Sequence, residues 1–241
     1  MKITLNEIKA VLVVNIISAP IIYLTRDLGI FPIILQIVLL CLAFASFYLL
    51  YKSTNIKLAI IIFLVIGIYG LLIETISIKT GFPYSRFNYS DMMGYKVADI
   101  VPYTIFLIWP TLVISAYSLS EFISKKGISK IVITTLLLLL LDLVFDPVAT
   151  ELGFWIWEEP GLYYGVPFLN FIGWIFSALI SASFAYFILA KNLIENKYLI
   201  LIYIGNLLLW TFLSIRLGIY IPIIISILIF VVLFKKYKLV K

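Results

Sequence analysis

Two carboxylates lie inside one of the apolar runs of this chain. The run from Leu136 to Leu141 is followed by Asp142 and, four residues later, by Asp146. Residues four apart lie one turn apart on the same helix face, so the spacing predicts two neighbouring carboxylates. A charge inside an apolar span costs a few kcal/mol, and such residues commonly mark a functional site. We therefore take Asp142 and Asp146 as candidate catalytic residues.

This pair suits one kind of acid chemistry. Burial in an apolar medium favours the neutral form of a carboxylic acid, and a second carboxylate nearby adds to the effect. A protonated acid beside an ionised one can donate a proton to an isolated alkene. The ionised partner and the π faces of aromatic side chains then stabilise the carbocation. Glu74 is the third candidate acid, because apolar residues flank it on both sides.

The elements that must position these acids are membrane spans. The chain has 241 residues, is 64% hydrophobic and only 12% charged, and several apolar runs reach the roughly 20 residues needed to cross a bilayer. This composition predicts an all-α, polytopic transmembrane helical bundle that forms a single domain over residues 1–241. We predict eight spans, although seven remain possible because the first, seventh and eighth are short or closely joined. The predicted spans are 8–24, 30–51, 57–78, 98–120, 129–148, 168–190, 198–215 and 218–234.

The positive residues predict the orientation of the bundle. With both termini in the cytoplasm, 13 Lys and Arg residues lie on the inner side and 5 on the outer side, as expected for a membrane protein. The chain is therefore predicted to be a multi-pass protein of the cell membrane. The lysines lie in short loops and at the termini, so the net charge of +6 does not indicate a nucleic-acid partner. Most acidic residues fall toward the outer half, where we expect the polar site.

The chain contains no histidine and a single cysteine, Cys41. Histidine-box di-iron desaturases and hydroxylases, zinc hydrolases and Ser-His hydrolases all need an imidazole, so these classes are excluded. One cysteine cannot form an intrachain disulfide. Acid and base chemistry is left to Asp, Glu, Tyr, Lys or water, and no metal ligand set is predicted.

Two long loops, Lys79–Val97 and Ala149–Pro167, are rich in turn residues and aromatics and are predicted to lie on the outer side. Trp155 and Trp157 in the second loop are assigned to the interfacial aromatic belt of a membrane protein. Asp99 is predicted to begin the fourth helix, where it would either complement the helix dipole or contribute to the site.

Tyr164, Asn170 and Trp174 lie closer to the acid pair in the sequence. We expect these three side chains to line the pocket that holds the substrate.

The order of these residues resembles that of the carotenoid biosynthesis protein family, which includes carotenoid 1,2-hydratases and bisanhydrobacterioruberin hydratases. The resemblance covers about residues 67–190, and its second half is the more specific. Its first half consists of Glu74, Thr80-Gly-Phe-Pro-Tyr84, Tyr89, Gly94, Val101-Pro102 and Trp109. Its second half consists of Asp142, Asp146-Pro-Val, Trp155-x-Trp157, Gly161-x-Tyr-Tyr-Gly-Val-Pro167 and Asn170-Phe-x-Gly-Trp174.

This resemblance implies the addition of water across the terminal double bond of an acyclic carotenoid ψ end group, which leaves a tertiary alcohol. It implies no cofactor. The implied partners are a lipophilic carotenoid in the bilayer and other membrane enzymes of the carotenoid pathway. We predict that Asp142 or Glu74 donates the proton and that Asp146 is its partner or orients the water. Asp99, Trp109, Tyr164, Asn170 and Trp174 are the predicted substrate-binding residues.

Three alternatives remain open from the sequence. A carotenoid end-group cyclase also begins by protonating a ψ end, but an internal alkene captures the cation. An intramembrane prenyltransferase would need a second acidic cluster to hold Mg²⁺ and a diphosphate, and no second Asp-rich motif is present in the sequence. A small lipid or proton-coupled transporter could also carry intramembrane carboxylates.

Overall fold

The structure, a computed structural model, describes residues 4–124, 126–189 and 197–240, and these residues form a helical bundle. Seven of its helices are long and apolar enough to cross a membrane, while the apolar part of the last, Tyr220–Lys235, is shorter. The predicted all-α, multi-pass class is confirmed. The helices are α1 (Leu5–Thr25), α2 (Phe31–Ser53), α3 (Ile56–Thr80), α4 (Tyr103–Ile123), α5 (Ser129–Glu151), α6 (Phe168–Leu189), α7 (Lys197–Leu217) and α8 (Tyr220–Val240).

Some of the predictions fall on residues outside these ranges. Lys2, Lys125, Lys191 and Lys241 contribute to the predicted orientation, and residue 190 was the predicted end of the sixth span. The placement of both termini in the cytoplasm therefore stays a prediction.

The helices α4 and α5 form the centre of the bundle and are its most buried spans. Helix α3 packs against α4, α6 packs against α5, and α7 contacts both central helices. Consecutive spans cross the membrane in opposite directions, and the pairing of Phe87–Tyr89 with Trp155–Trp157 places the loops after α3 and α5 side by side. As a result α3 and α5 end, and α4 and α6 begin, at the same end of the bundle. Because the two long loops lie there, we call it the loop end.

The helix α4 begins later than predicted. Residues Lys96–Val97 (β2) and Val101–Pro102 (β3) form a short antiparallel hairpin instead of the first turn of the helix. Ala98 and Asp99 occupy its turn with φ values of 51° and 59°, a left-handed conformation that a helix start does not have. The predicted start at residue 98 is therefore wrong, and α4 starts at Tyr103.

The two long loops are joined by a second antiparallel strand pair. Residues Phe87–Tyr89 (β1) of the first loop pair with Trp155–Trp157 (β4) of the second, so that Phe87 faces Trp157 and Tyr89 faces Trp155. This pairing turns aromatic side chains of both loops toward the helices. The paired loops therefore cover the loop end of the bundle.

Glycines on α3 let α4 approach closely. A Cβ atom at Gly70 would lie 2.7 Å from Trp109 Cδ1, and one at Gly67 would lie 2.5 Å from the carbonyl oxygen of Phe106. That carbonyl lacks its helical partner because Pro110, four residues later, has no N–H. The backbone of α3 is thus packed directly against the proline-containing turn of α4.

Two of the sequence motifs dock on each other. A Cβ atom at Gly173 in α6 would lie 2.5 Å from Tyr84 Cδ1 and 2.6 Å from the Pro83 carbonyl oxygen. Only glycine leaves room for this contact. The Gly-Phe-Pro-Tyr segment of the first loop and the Gly-Trp segment of α6 therefore form one packed unit beside the acids.

Candidate functional site

A cavity of about 90 Å³ lies inside the loop end of the bundle. Helices α1 to α7 and both long loops contribute to its wall, which is mostly apolar. The polar and aromatic members of the wall are Glu74, Tyr84, Phe87, Tyr89, Trp109, Thr111, Phe145, Asp146, Phe154, Trp155, Trp157, Asn170, Trp174, Asn206 and Trp210. The cavity has room for several water molecules or for the narrow end of a slender apolar molecule.

The acid pair of α5 is held by an amide from α6. The Asn170 side chain donates to Asp142 Oδ2 at 3.3 Å and also to Asp146 Oδ2. All three side chains are 2% exposed or less. Asp146 and Asn170 line the cavity, whereas Asp142 lies one turn further from the loop end. Helical spacing therefore brings the two carboxyl groups together, as the sequence predicted, and Asn170 bridges them.

This bridge constrains where the pair can hold a proton. Two neighbouring carboxyl groups in an apolar setting do not both ionise. An amide NH₂ group only donates hydrogen bonds, so the Oδ2 atoms of Asp142 and Asp146 act as acceptors. The Asn170 amide therefore leaves the Oδ1 atoms of the pair free to carry a proton. Asp142 Oδ1 has no hydrogen-bond partner among the described residues.

Glu74 reaches the same cavity from α3. It is buried and lies six residues before the end of α3, a rise of about 9 Å. Asp146 lies five residues before the end of α5, at nearly the same depth. The Tyr89 side chain of β1 interacts with the Glu74 carboxyl group. Burial raises the pKa of Tyr89, so its hydroxyl keeps its proton and can donate to Glu74.

Aromatic rings form a continuous wall beside the acids. The ring centroids of Trp109 and Trp174 are 4.6 Å apart, and those of Trp174 and Phe145 are 5.4 Å apart. Phe145 lies 6.0 Å from Trp155, which lies 6.0 Å from Tyr89. Their edge-to-face arrangement is the favoured one for aromatic pairs. The wall exposes π faces that can stabilise a positive charge in the cavity.

A loop tyrosine supports the helical turn that carries Asp146. Pro147 follows Asp146 and has no N–H, so the Leu143 carbonyl lacks its helical partner. The Tyr163 hydroxyl donates to that carbonyl. With this substitute bond, α5 continues past the predicted end at residue 148 to Glu151. The second loop therefore holds the acid-bearing turn in place.

The structure brings together six of the predicted site residues. Glu74, Trp109, Asp146, Asn170 and Trp174 line the cavity. Asp142 contacts it through Asn170. Whether these residues perform the predicted roles stays a prediction.

Two predicted substrate-binding residues lie elsewhere. Asp99 is exposed in the turn between β2 and β3 and does not line the cavity, because the chain forms a hairpin there instead of a helix. Tyr164 is 37% exposed with a φ of 50°, and its hydroxyl accepts from the Ile221 backbone N–H at 3.3 Å. Its side chain therefore points to the start of α8 and away from the acids.

The prediction for Trp155 and Trp157 is also wrong. Both were assigned to an interfacial belt, but both line the cavity because the β1–β4 pairing directs them inward.

Sequence reasoning missed several further residues of the wall. Tyr84 and Tyr89 belong to the quoted motif, so that motif could have indicated them. Asn206 and Trp210 lie on α7, outside the predicted family-like core, and an amide in an apolar run was the available signal. Phe145 gave no signal beyond its place beside the acids.

The fold and the cavity together define a polytopic membrane protein with a pair of buried acids, one of which lines a cavity walled by aromatic rings. A family model described as "Carotenoid biosynthesis protein" matches residues 31–233, and the chain belongs to this family. The predicted resemblance is confirmed, and the match extends beyond residues 67–190 to include α2 and α7.

One curated relative carries a specific activity in its name. The chain is 33% identical over 118 residues to the bisanhydrobacterioruberin hydratase of Haloarcula japonica. The matched stretch is 47% of this chain and 40% of the relative, so the match covers less than half of either protein. No solved structure matches the chain.

Proposed function

We propose that the chain is an intramembrane enzyme that hydrates the terminal double bond of an acyclic carotenoid ψ end group. The observation that carries this proposal is the pair of Asp142 and Asp146, which Asn170 bridges and of which Asp146 lines a cavity walled by aromatic rings. Membership of the carotenoid biosynthesis family and the similarity to a hydratase support it.

A hydrocarbon end group fits the apolar part of the wall. Leu35, Val38 and Leu42 of α2 face the cavity together with Ile105 and Leu112 of α4. A carotenoid already dissolved in lipid enters without desolvating polar groups, and van der Waals packing against this wall replaces its contacts with lipid. The polar residues at the loop end then meet only the terminal alkene.

Asp146 is the proposed proton donor. It lines the cavity, and its pairing with Asp142 keeps one proton within the pair. Transfer of that proton to the less substituted alkene carbon forms a C–H bond and leaves a tertiary cation. The transfer leaves both carboxyl groups ionised until a proton returns, and the adjacent cation and the two N–H groups of Asn170 stabilise this charge. This assignment places Asp142, predicted as a donor, in the supporting position.

The aromatic wall stabilises the cation. The Trp174, Phe145 and Trp155 rings lie beside Asp146 and Asn170, and one cation–π contact is worth about 0.5–2 kcal/mol. Because these rings carry no strong nucleophile, the cation survives until water reaches it.

Glu74 is the proposed base for the second step. A water oxygen attacks the tertiary carbon and forms the C–O bond, while a water proton moves to the Glu74 carboxylate. Return of that proton to the Asp142–Asp146 pair restores the enzyme. The net change is the addition of one water molecule to one alkene, with no oxidation or reduction. Tyr89 holds the Glu74 carboxyl in place through their interaction.

The decisive experiment is pigment analysis in a host that makes acyclic carotenoids. We expect a pigment heavier by one or two waters when the gene is present, and its absence with an Asp146→Asn variant. Asp99→Asn is the matched control, because Asp99 is exposed and outside the cavity. Pigments of unchanged mass with a shorter chromophore would instead demonstrate cyclisation. Unchanged pigments in several hosts would refute an action on carotenoid end groups and favour the transporter.

We also propose that the protein lies in the cell membrane with both termini in the cytoplasm. The excess of Lys and Arg on that side supports this orientation. The loop end and its cavity would then lie in the outer half of the bilayer. Reporter fusions after α3 and α4 test it, because only the fusion after α4 should report a cytoplasmic location.

A further inference from the structure

Three polar groups of the cavity wall lack a hydrogen-bond partner among the described residues: the indole nitrogens of Trp109 and Trp155 and the hydroxyl of Tyr84. Trp155 is only partly buried, whereas the other two residues are almost fully buried. Trp109 is 4% exposed and Tyr84 is 2% exposed, and both line the cavity. The Ser177 hydroxyl, which interacts with the Tyr84 side chain, donates its own proton to the Gly173 carbonyl at 2.9 Å, so it can accept from the Tyr84 hydroxyl but cannot donate to it. The Trp109 N–H and the lone pairs of the Tyr84 oxygen therefore keep unused hydrogen-bonding capacity at the cavity.

Both groups lie on the Glu74 side of the cavity. The pyrrole edge of Trp109 packs against Gly70, which is one helical turn from Glu74 on the same face of α3. The Tyr84 hydroxyl interacts electrostatically with the Glu74 carboxyl group. Burial raises the pKa of Tyr84, so the hydroxyl stays neutral and its oxygen keeps lone pairs that can accept a hydrogen bond.

A hydrocarbon substrate cannot form hydrogen bonds with the Trp109 N–H or the Tyr84 oxygen. A buried polar group without a partner costs about 1–3 kcal/mol, and an alkene offers no strong acceptor to an indole N–H. An oxygen atom at this position removes that cost. We propose that Trp109, Tyr84 and Glu74 form the subsite that holds the water molecule added to the cation. This inference rests on the proposed hydratase function and deepens it.

The subsite accounts for each hydrogen bond of the water. Its oxygen accepts one bond from the Trp109 N–H, and its two hydrogens point to the Tyr84 oxygen and the Glu74 carboxylate. One lone pair is left, and it attacks the tertiary carbon. As the C–O bond forms, the O–H bond toward Glu74 breaks and the proton moves to the carboxylate. Trp109 and Tyr84 orient the nucleophile and exchange no proton.

Deuterium labelling distinguishes capture of the cation by water from protonation of the alkene. In deuterated buffer the Asp142–Asp146 pair carries deuterium and transfers it to the alkene. A cation that then loses a proton instead of binding water returns to the alkene, which now contains deuterium. The probes are lycopene and bisanhydrobacterioruberin, and chromatography with mass spectrometry measures the hydrated product and the label in recovered substrate. The full-length protein in membranes is used, with Tyr95→Phe as the matched control because Tyr95 is exposed and outside the cavity.

We expect Tyr84→Phe and Trp109→Phe each to lower hydration about tenfold, as for the loss of one hydrogen bond. Deuterium in recovered substrate should stay at the wild-type level or rise, because a cation that is not captured returns to the alkene. Asp146→Asn should abolish both signals. If Trp109→Phe fails to fold, the nearly isosteric Tyr84→Phe decides the question.

Two results would overturn the subsite. Hydration within twofold of wild type in both variants would show that these groups do not hold the water. A parallel loss of hydration and deuterium label would show that they act on protonation or on the fold. If the wild-type protein neither hydrates nor labels either probe, the proposed hydratase function itself is refuted.

Discussion

The hydroxyl of Tyr163 donates a hydrogen bond to the carbonyl oxygen of Leu143 at 2.8 Å. This carbonyl is the one that Pro147 leaves without a helical partner, since proline has no N–H. The bond lies within one turn of Asp146. A loop side chain thus completes the helix at the position where the acid is carried.

Replacing Tyr163 by Phe should therefore weaken this turn. We expect the free energy of unfolding to fall by about 1–2 kcal/mol, because a buried carbonyl loses its partner. The loss should be smaller in a Pro147→Ala background, where residue 147 supplies an N–H to Leu143. Burial raises the pKa of Tyr163, so the effect should not change across the physiological pH range.

Unfolding of the detergent-solubilised protein over a Tyr163 and Pro147 double-mutant cycle measures this coupling. Tyr220→Phe serves as the control, because Tyr220 is exposed at the start of α8. If Tyr163→Phe lowered the free energy of unfolding equally in both backgrounds, the Tyr163 hydroxyl would not be replacing the N–H that Pro147 lacks.

Replacing Asp146 by Asn should remove the acid and keep its shape. We expect the hydration rate to fall by roughly 10²–10⁴-fold, the usual contribution of a positioned acid. Initial rates in membranes, normalised to protein content, measure the loss. A variant that retains full activity would eliminate Asp146 as the donor.

Replacing Asn170 by Leu should affect both members of the acid pair. The amide donates to Asp142 and Asp146, and a leucine of similar size leaves both carboxyl groups without these bonds. We expect the free energy of unfolding to fall by about 1–3 kcal/mol and hydration to be lost. Asn170→Gln should rescue part of the activity, since its amide can still donate. No difference between the two variants would argue against the bridging role.

Replacing Gly70 by Ala should displace Trp109. The added methyl group would lie 2.7 Å from Trp109 Cδ1 and 2.9 Å from Cγ, closer than side-chain atoms tolerate, and overpacking typically costs about 1–3 kcal/mol. We expect lower stability and slower hydration. Gly29→Ala is the matched control, because its Cβ would meet nothing within 4 Å. Equal behaviour of the two variants in thermal unfolding and rate assays would contradict the predicted clash.

Replacing Phe145 by Leu should slow the chemical step more than substrate binding. The Phe145 ring contacts Trp155, Trp174 and Trp210, and leucine keeps apolar contact but removes the π face. We expect kcat to fall by roughly 2- to 30-fold, as for the loss of one cation–π contact, with little change in KM. Phe187→Leu is the control at an exposed position of α6. A rise in KM with unchanged kcat would assign Phe145 to binding alone.

The sequence was informative where burial decides the outcome. Apolar runs predicted all eight helices, and their ends to within a few residues except at the start of α4 and the end of α8, because backbone groups in lipid must be bonded within a helix. Glu74 and Asp146 were identified because a carboxyl group in an apolar run is costly. Asn170 was identified from its place in the motif, but its bridge between two carboxyl groups depends on how α5 and α6 pack.

The sequence was uninformative where distant segments pair. Trp155 lies inward only because β4 pairs with β1, a strand separated from it by two helices. Asp99 was misplaced because the local sequence does not show that Ala98 and Asp99 take positive φ values. Pro147 suggested a helix end, and only the Tyr163 contact explains why α5 continues.

The pairing of β1 with β4 also sets an order of assembly. The two strands belong to loops on either side of α4 and α5, so during synthesis the cover of the cavity cannot close until both central helices have been inserted. Asn170 and Trp174 arrive later still, with α6. A nascent chain that stops before residue 157 therefore exposes Glu74 and the first loop without their partners, and such intermediates are vulnerable to aggregation and proteolysis. Both central helices, α4 and α5, must therefore be inserted before the two loops can pair and enclose the cavity.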